Sequence, residues 1–560
     1  MCLGIQHFTI MNKIFSSTLT AFIIALALSC SKTESSVDEQ DGLSAFSQDS
    51  LIKHIVKLSS DEFQGRRPFT IGETRTVEYL TQSLRNMGIE PGNGSEYFQK
   101  VPMVEITPTC DPAMLVTTGK GNFSLKNMED YVIWTENTDS VVSVEKSDVV
   151  FAGFGVVAPE YNWNDYAGLD VKGKVVLVMV NDPGFSTGDT TLFKGKEMTY
   201  YGRWTYKFEE AARQGAKGCL IVHNEKAASY PFSVVQNSWG KSQQHLDTRG
   251  SKEYRCPVEG WITEAAAKKL LNTVSNGEAL LVKANQKGFK PVALPAKVST
   301  SMKVKAVFNE SKNVIGKITG SKRPNEYIIY SAHWDHFGIG KPDAKGDSIY
   351  NGALDNASGT AAVLEIARAF KSLKNKPERS IVFLFVTGEE QGLLGSAYYA
   401  QHPVFPANET VGNLNIDVIN NFGRTKDISI AGEGQSELED YLKKEVESKG
   451  RYIAPEAHPE AGHYFRSDHF SFAKAGIPAL TTGSGIDEVA KGKEYGQKQQ
   501  ELYTEKFYHQ TTDQYDAATW KLEGGLEDTI LLFQIGKRLA FETTWPQWKE
   551  GSEFKALRKK

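Results

Sequence analysis

Residues 381–386 read Ile, Val, Phe, Leu, Phe and Val, and Thr387, Gly388, Glu389 and Glu390 follow directly. An unbroken β-branched and aromatic run of this length predicts a central strand of a largely parallel sheet, buried on both faces. Gly388 lets the backbone turn sharply, which leaves two carboxylates where the strand ends. In open α/β sheets the ligand crevice lies at the carboxyl ends of the strands. Two glutamates there suit metal binding, general-base work, or one of each. An isolated pair would read as a solvated loop, so the weight falls on the other strand ends.

Those come from a chain of 560 residues, longer than one core usually grows, and two globular units are expected. A net charge of −4, with no basic stripe between aromatics, argues against a nucleic-acid partner. Residues 11–13 form a short positive start and 14–28 an apolar stretch too short for a membrane span. Met11 is the better beginning. Ala27, Leu28, Ser29 and Cys30 resemble a bacterial lipoprotein cleavage site. Export is expected, with a lipid on Cys30 as the only membrane contact, in the periplasm or at the outer membrane; plain secretion is the alternative. Cys219 opens the apolar run 219–222 and reads as a buried small hydrophobe. Cys110 and Cys256 are left free to pair or not. The absence of any Cys-X-X-Cys argues against a zinc–thiolate site.

In chain order, 31–48 is polar and reads as a tether. Helical spacing starts at Leu51, Ile55 and Leu58, the Gly65-Arg66-Arg67-Pro68 turn follows, and a helix is predicted over 74–87. A strand is predicted over 98–106. Between about 140 and 290 come short β-rich runs (149–157, 175–180, 219–222) and a helix starting at Phe208. His223 and His245 there are lone histidines, and no catalytic cluster of metal-ligand types appears. Strands return over 303–308, 313–318, 327–332 and 414–419, with a helix over 357–373 and a polar loop over 491–506. Strands alternating with helices argue for a largely parallel α/β sheet.

The strand over 327–332 ends in His333, Trp334 and Asp335. A histidine at a strand end can offer one ring nitrogen to zinc, and a carboxylate two residues on can accept the other ring N–H. His336 competes for the ligand role and ranks lower. In 351–359, small residues surround Asp355 and Asn356; either could cap the next helix, and Asp355 could bridge two cations. Asp417 sits inside an apolar stretch, where a lone carboxylate needs a cation or strong donors. His509 follows Tyr508 after the polar loop. Two histidines and four carboxylates suffice for two zinc ions sharing a bridge, with cobalt or manganese as chemical alternatives.

The runs His333-Trp334-Asp335-His336, Gly352 to Gly359, Thr387 to Glu390, Asn415-Ile416-Asp417 and Tyr508 to Asp513 together resemble the co-catalytic zinc exopeptidases of metallopeptidase family 28, the leucyl-aminopeptidase type. The runs 149–157 and 215–222 resemble the protease-associated domain often inserted into such enzymes. The resemblance implies an α/β zinc exopeptidase fold, a mostly parallel mixed sheet flanked by helices, with a small β-rich α/β insert. It divides the chain into a lipoprotein-type signal peptide (1–30), a tether (31–48), the first part of a peptidase domain (49–140), the insert (141–292), the second part with the metal site (293–545) and a tail (546–560). It implies two zinc ions: His333 and Asp417 on one, Glu390 and His509 on the other, Asp355 bridging. Glu389 is then the general base and Asp335 the residue that orients the first site. Arg466, in Arg466-Ser467-Asp468-His469-Phe470, lines the substrate cleft, and Tyr508 is a further donor to the oxyanion. The implied activity is removal of N-terminal residues from peptide substrates. A carboxypeptidase or glutaminyl cyclase on the same scaffold, or a receptor-like module without catalysis, are the rivals. A carboxypeptidase needs cationic groups for the free carboxylate, and Arg466 is the obvious candidate.

Overall fold

Strand Arg379–Val386 is buried along its whole length. Its side chains alternate between two apolar layers: Ile381, Phe383 and Phe385 enter one, and Val382, Leu384 and Val386 the other. Helices Gln48–Leu58, Ile71–Asn86, Gly359–Lys371 and Glu523–Phe541 supply the first layer. Tyr399 and Phe472, from helices Leu394–Gln401 and His469–Lys474, lie in the second. Both faces are therefore covered, which is why no polar residue interrupts 381–386. Leu384→Ala should lower unfolding free energy by about 2–5 kcal/mol, read as a reduced denaturant midpoint at unchanged slope.

This computed structural model describes residue 38 and residues 40–558, so the leader and Cys30 lie outside the described residues. No helix among the described residues is long and apolar enough to cross a membrane. Leu43, Ala45 and Phe46 pack against the first apolar layer.

The central strand runs parallel to Arg323–His333, with Ile328 opposite Ile381, and antiparallel to the end of Val292–Ile318, with Ile315 opposite Leu384. Thr410–Asn415 and then Ala479–Ser484 extend the parallel part. Asp427–Ile430 pairs antiparallel beyond them. The fold is thus the expected mixed α/β sheet flanked by helices.

Two local expectations are corrected. The predicted strands over 303–308 and 313–318 are one strand of 27 residues, Val292–Ile318. Its pairing with Phe98–Cys110, from Met302 opposite Cys110 to Val314 opposite Phe98, carries the ladder through the polar residues 309–312. The segment read as a loop over 491–506 is mostly helix, Lys493–Lys506. Unbranched Lys, Gln and Glu side chains lose little freedom in a helix, and Lys498 pairs with Glu494 at 2.8 Å.

The long strand also links the two halves of the structure. Its first part lies between Ala113–Thr118 and Val141–Phe151. From there Val175–Met179, Gly218–His223 and Val258–Thr263 continue in parallel. Leu177, Leu220 and Val222 face one core there, and Val176, Val178, Cys219 and Ile221 another. Cys110, Cys219 and Cys256 are free thiols.

Candidate metal centre

Strands Arg323–His333, Arg379–Val386 and Thr410–Asn415 lie side by side in parallel and deliver their carboxyl ends to one place. His333 is the last residue of the first strand. Its Nδ1 lies 3.2 Å from the main-chain oxygen of Asp335 and 3.9 Å from the Asp335 carboxylate. A proton on Nδ1 donated to that carbonyl leaves Nε2 a free lone pair. That Nε2 is 3.2 Å from Asp355 Oδ1 and 3.2 Å from Asp417 Oδ1.

The other Asp355 oxygen, Oδ2, is 3.3 Å from His509 Nε2, which is also 3.2 Å from Glu390 Oε2. One carboxylate thus spans two histidines, each with a further carboxylate of its own. Zinc bonds of about 2.0–2.1 Å at tetrahedral angles separate neighbouring donors by about 3.3 Å, so the spacing and the nitrogen–oxygen donor set fit that ion. The ligand-type atoms of His333, Glu389 and Glu390, and those of His336, Asp355 and Glu390, also lie within 4.8 Å of one another.

Neither Asp355 nor Asn356 is the N-cap of helix Gly359–Lys371, a position that Ser358 holds, but the side chain of Asn356 ties the entry of that helix to the chain before Asp417. Its Oδ1 accepts the Gly359 N–H at 2.8 Å and the Val418 N–H at 3.1 Å, and its Nδ2 donates to the Ile416 carbonyl. Asp355 is thereby left to face the centre. Its own N–H, and that of Leu354, donate to the two Asp513 carboxylate oxygens at 3.0 and 2.9 Å. The small residues here are a requirement of space: a Cβ on Gly359 would stand 2.3 Å from Asn356 Oδ1 and 2.5 Å from the Ile416 carbonyl.

Asp417 does not lie inside a strand, as its apolar surroundings suggested. The strand ends at Asn415, and Val418 has a φ of 69°, which turns the chain out of the ladder. The next amides are held by side chains instead: Val418 N–H by Asn356, and Ile419 N–H by Ser358 Oγ at 3.2 Å. Glu389 and Glu390 sit in the turn after Gly388, whose φ is 64°. The Glu389 N–H donates to Asp335 Oδ1 at 3.1 Å, so Asp335 braces the second glutamate strand as well as the first histidine.

Burial pushes the Glu389 and Glu390 carboxyls well above the ordinary range, and neighbouring carboxylates add to it. Burial alone would lower His333, but Glu389 and Asp417 outweigh it and hold the imidazole well above its usual value. Burial likewise opposes ionisation of Asp355, yet hydrogen bonds to His333 and His509 hold it well below the carboxylate range. The centre is an anion-rich pocket in which cations are favoured.

The structure therefore brings His333, Asp335, Asp355, Glu389, Glu390, Asp417 and His509 together. Tyr508 stacks on the His509 ring at 3.7 Å and is 45% exposed, at the rim. Arg466 follows the turn His463–Phe465; the adjoining Ser467 accepts a hydrogen bond from Asn415 Nδ2 at 2.8 Å.

Three further residues contribute to the centre: His336, which the sequence ranked below His333 as a ligand, and Asp513 and Arg66, to which it gave no role. His336 is fully buried, and its Nδ1 contacts Glu390 Oε1. Asp513 positions the Asp355 loop, as above; its place four residues after His509 is the one clue. Arg66 is 1% exposed and donates to the carbonyls of Leu58, Trp334, Asn351 and Gly352 at 2.6–2.9 Å. Burial lowers its pKa to about 10, and it stays cationic at neutral pH. Arg66→Lys keeps the charge but loses the fork, leaving buried carbonyls unpaired. It should cost at least about 3 kcal/mol of stability, measured by denaturant unfolding, and reduce metal content through the loosened Asp355 loop.

Residues 313–534 match the profile of Peptidase family M28. A protein described as a probable zinc metalloprotease from Pyrenophora teres f. teres is 38% identical over 107 residues, 19% of this chain and 21% of that protein. The aminopeptidase NAALADL1 of Mus musculus is 35% identical over 139 residues, 23% of this chain and 17% of that protein. The chain thus spans about a fifth of the length of the curated relatives it matches. A solved aminopeptidase from Aneurinibacillus sp. strain AM-1 aligns over 92% of this chain and 97% of its own, at 18% identity and a TM-score of 0.46. The matched residues hold the whole centre from His333 to His509, so it is the metal-bearing part of the chain that is similar to peptidase family M28.

Proposed function

We propose that the chain is an extracytoplasmic zinc-dependent exopeptidase that removes N-terminal residues from peptides. The observation that carries the reading is the Asp355 carboxylate, with one oxygen 3.2 Å from His333 Nε2 and the other 3.3 Å from His509 Nε2. On this reading His333 and Asp417 would hold one zinc ion and Glu390 and His509 a second, with Asp355 shared between the two sets. Bound zinc supplies a Lewis acid for the peptide carbonyl and brings the pKa of a bound water to about 7.

The chain's residues do the rest. Glu389 accepts the proton of the attacking water and returns it to the departing amine, a role typically worth about 10²–10⁴-fold. Asp335 holds the Glu389 backbone and faces His333, so base and ligand keep a common frame. Tyr508 offers its hydroxyl from the rim to the developing oxyanion. The free α-amine of the substrate finds its counter-charge among the carboxylates of the centre. Residues 141–292 are assigned to a protease-associated insert on their resemblance, and export rests on the leader pattern of 11–30.

The test compares aminoacyl-β-naphthylamides with N-acetylated peptides bearing a free C-terminus, alongside metal analysis of the purified chain. Cleavage of the former and sparing of the latter, with zinc bound, is the expected result. Cleavage of the N-blocked peptides alone would make it a carboxypeptidase, and zinc-free protein without hydrolysis would leave a binding module.

A further inference from the structure

Strand Gln243–Leu246 belongs to the middle stretch of the chain, yet it pairs antiparallel with Phe98–Cys110, Gln244 opposite Glu105 and Leu246 opposite Met103. Successive side chains leave a strand on opposite faces. His245 turns back to the middle stretch, its Nδ1 3.8 Å from the Glu136 carboxylate. Leu246 turns the other way and packs on an apolar group made by Val101, Met103 and Leu394. Leu394 opens the helix that follows Glu389 and Glu390. The fit is close: a Cβ on Gly388 would stand 3.1 Å from Leu394 Cβ and 3.3 Å from Met103 Cε. Gln391 makes the polar half of the same contact. Its Oε1 accepts the Gln244 main-chain N–H at 3.3 Å, and its Nε2 donates to the Glu390 carbonyl at 3.4 Å.

The turn that meets this strand needs outside support. Gly388, Gly392 and Leu393 have φ of 64°, 114° and 61°. Glycine adopts such values freely, whereas a leucine there persists only where its surroundings over-determine it. The N–H groups of Gly392 and Leu393 both donate to the Glu389 carbonyl at 2.9 Å, so the strained residue is tied to the peptide of Glu389 itself. The metal-bearing part of the chain supplies one brace, Asp335 Oδ1 on the Glu389 N–H at 3.1 Å. Strand Gln243–Leu246 supplies another, from the opposite end of the turn.

We infer that strand Gln243–Leu246 positions Glu389, with Leu246 and Gln391 as the positioning residues that fix the turn from which it projects. The inference rests on the exopeptidase reading and adds to it a part for the middle stretch: docked on the turn, it holds the group that takes the proton of water.

The test uses the full zinc-loaded chain and two readouts, steady-state kinetics on an aminoacyl-β-naphthylamide and hydrogen exchange at the amides of 391–393. Leu246→Ala removes the apolar contact and Gln391→Met the polar one, and neither changes a side chain that faces the metals. A displacement of about 1 Å can cost about 10²-fold, so each variant should lower kcat by about 10-fold or more while KM stays within about 2-fold. Zinc content should be unchanged, and exchange at the turn should be faster. Leu246→Met keeps the volume and should restore kcat to within about 3-fold of wild type. Val178→Ala, in the core of the middle stretch, lowers stability there and should leave kcat as it is. Unchanged kcat or unchanged exchange in both Leu246→Ala and Gln391→Met would overturn the inference, as would an equal loss of kcat in Val178→Ala. Should Leu246→Ala not fold, Gln391→Met decides. A wild-type chain that hydrolyses no peptide would sink the exopeptidase reading, and exchange at the turn then decides by itself whether the strand holds it.

Discussion

Glu389→Gln is expected to retain its zinc while kcat falls by at least ~10²-fold, the scale for losing a general base. The amide keeps the shape of the carboxylate and one acceptor oxygen, but it cannot take the proton of the attacking water. Its backbone partner is unaffected, because the contact to Asp335 is made by the Glu389 N–H and not by the side chain. Substrate affinity should accordingly change little. Glu390→Gln should behave differently. Glu390 is the residue whose Oε2 lies 3.2 Å from His509 Nε2, and whose Oε1 meets His336 Nδ1. Replacing one oxygen by an NH2 disturbs both contacts, so one zinc is bound more weakly and added zinc restores part of the activity. Metal content by plasma emission, measured beside steady-state kinetics, separates the pair. Zinc loss in Glu389→Gln with zinc kept in Glu390→Gln would exchange the two roles.

The parts of this centre that were legible in the sequence are those announced by strands. An unbroken apolar run has few ways to be satisfied, and 327–332 and 381–386 duly end in His333 and Glu389–Glu390. Asp417 was visible as a chemically odd residue in an apolar stretch, but the ladder stops before it, because side chains of Asn356 and Ser358 capture the amides that a strand would use. What could not be seen is what the long-range contacts decide. Arg66 reaches the carbonyl of Asn351 across 285 residues, and Asp513 the N–H of Leu354 across 159. Neither belongs to a local period, and an arginine in a glycine–proline turn ordinarily points to solvent. The helix over Lys493–Lys506 was missed for a different reason: it is polar on nearly every face, with Gly496 its one buried residue, so no apolar stripe marks it.

Asp355→Ala is expected to remove more than any other single change in the centre. His333→Ala or His509→Ala takes away one nitrogen and leaves the opposite histidine with its own carboxylate and the Asp355 oxygen that faces it. Each should lose one zinc preferentially and abolish hydrolysis. Asp355 serves both sides through its two oxygens, 3.2 Å from His333 Nε2 and 3.3 Å from His509 Nε2. Its removal leaves each histidine with a single carboxylate, Asp417 or Glu390, and neither set then has three protein ligands. Both zinc ions should therefore dissociate together on dialysis, whereas the histidine variants release them unequally. The fold should survive, because the loop is held by Asp513, Asn356 and Arg66 through groups other than the Asp355 side chain. Circular dichroism and a denaturant midpoint near that of the metal-free wild type check this. Retention of one zinc by Asp355→Ala at wild-type affinity would show that Asp355 serves one side only, and the bridge would have to be abandoned.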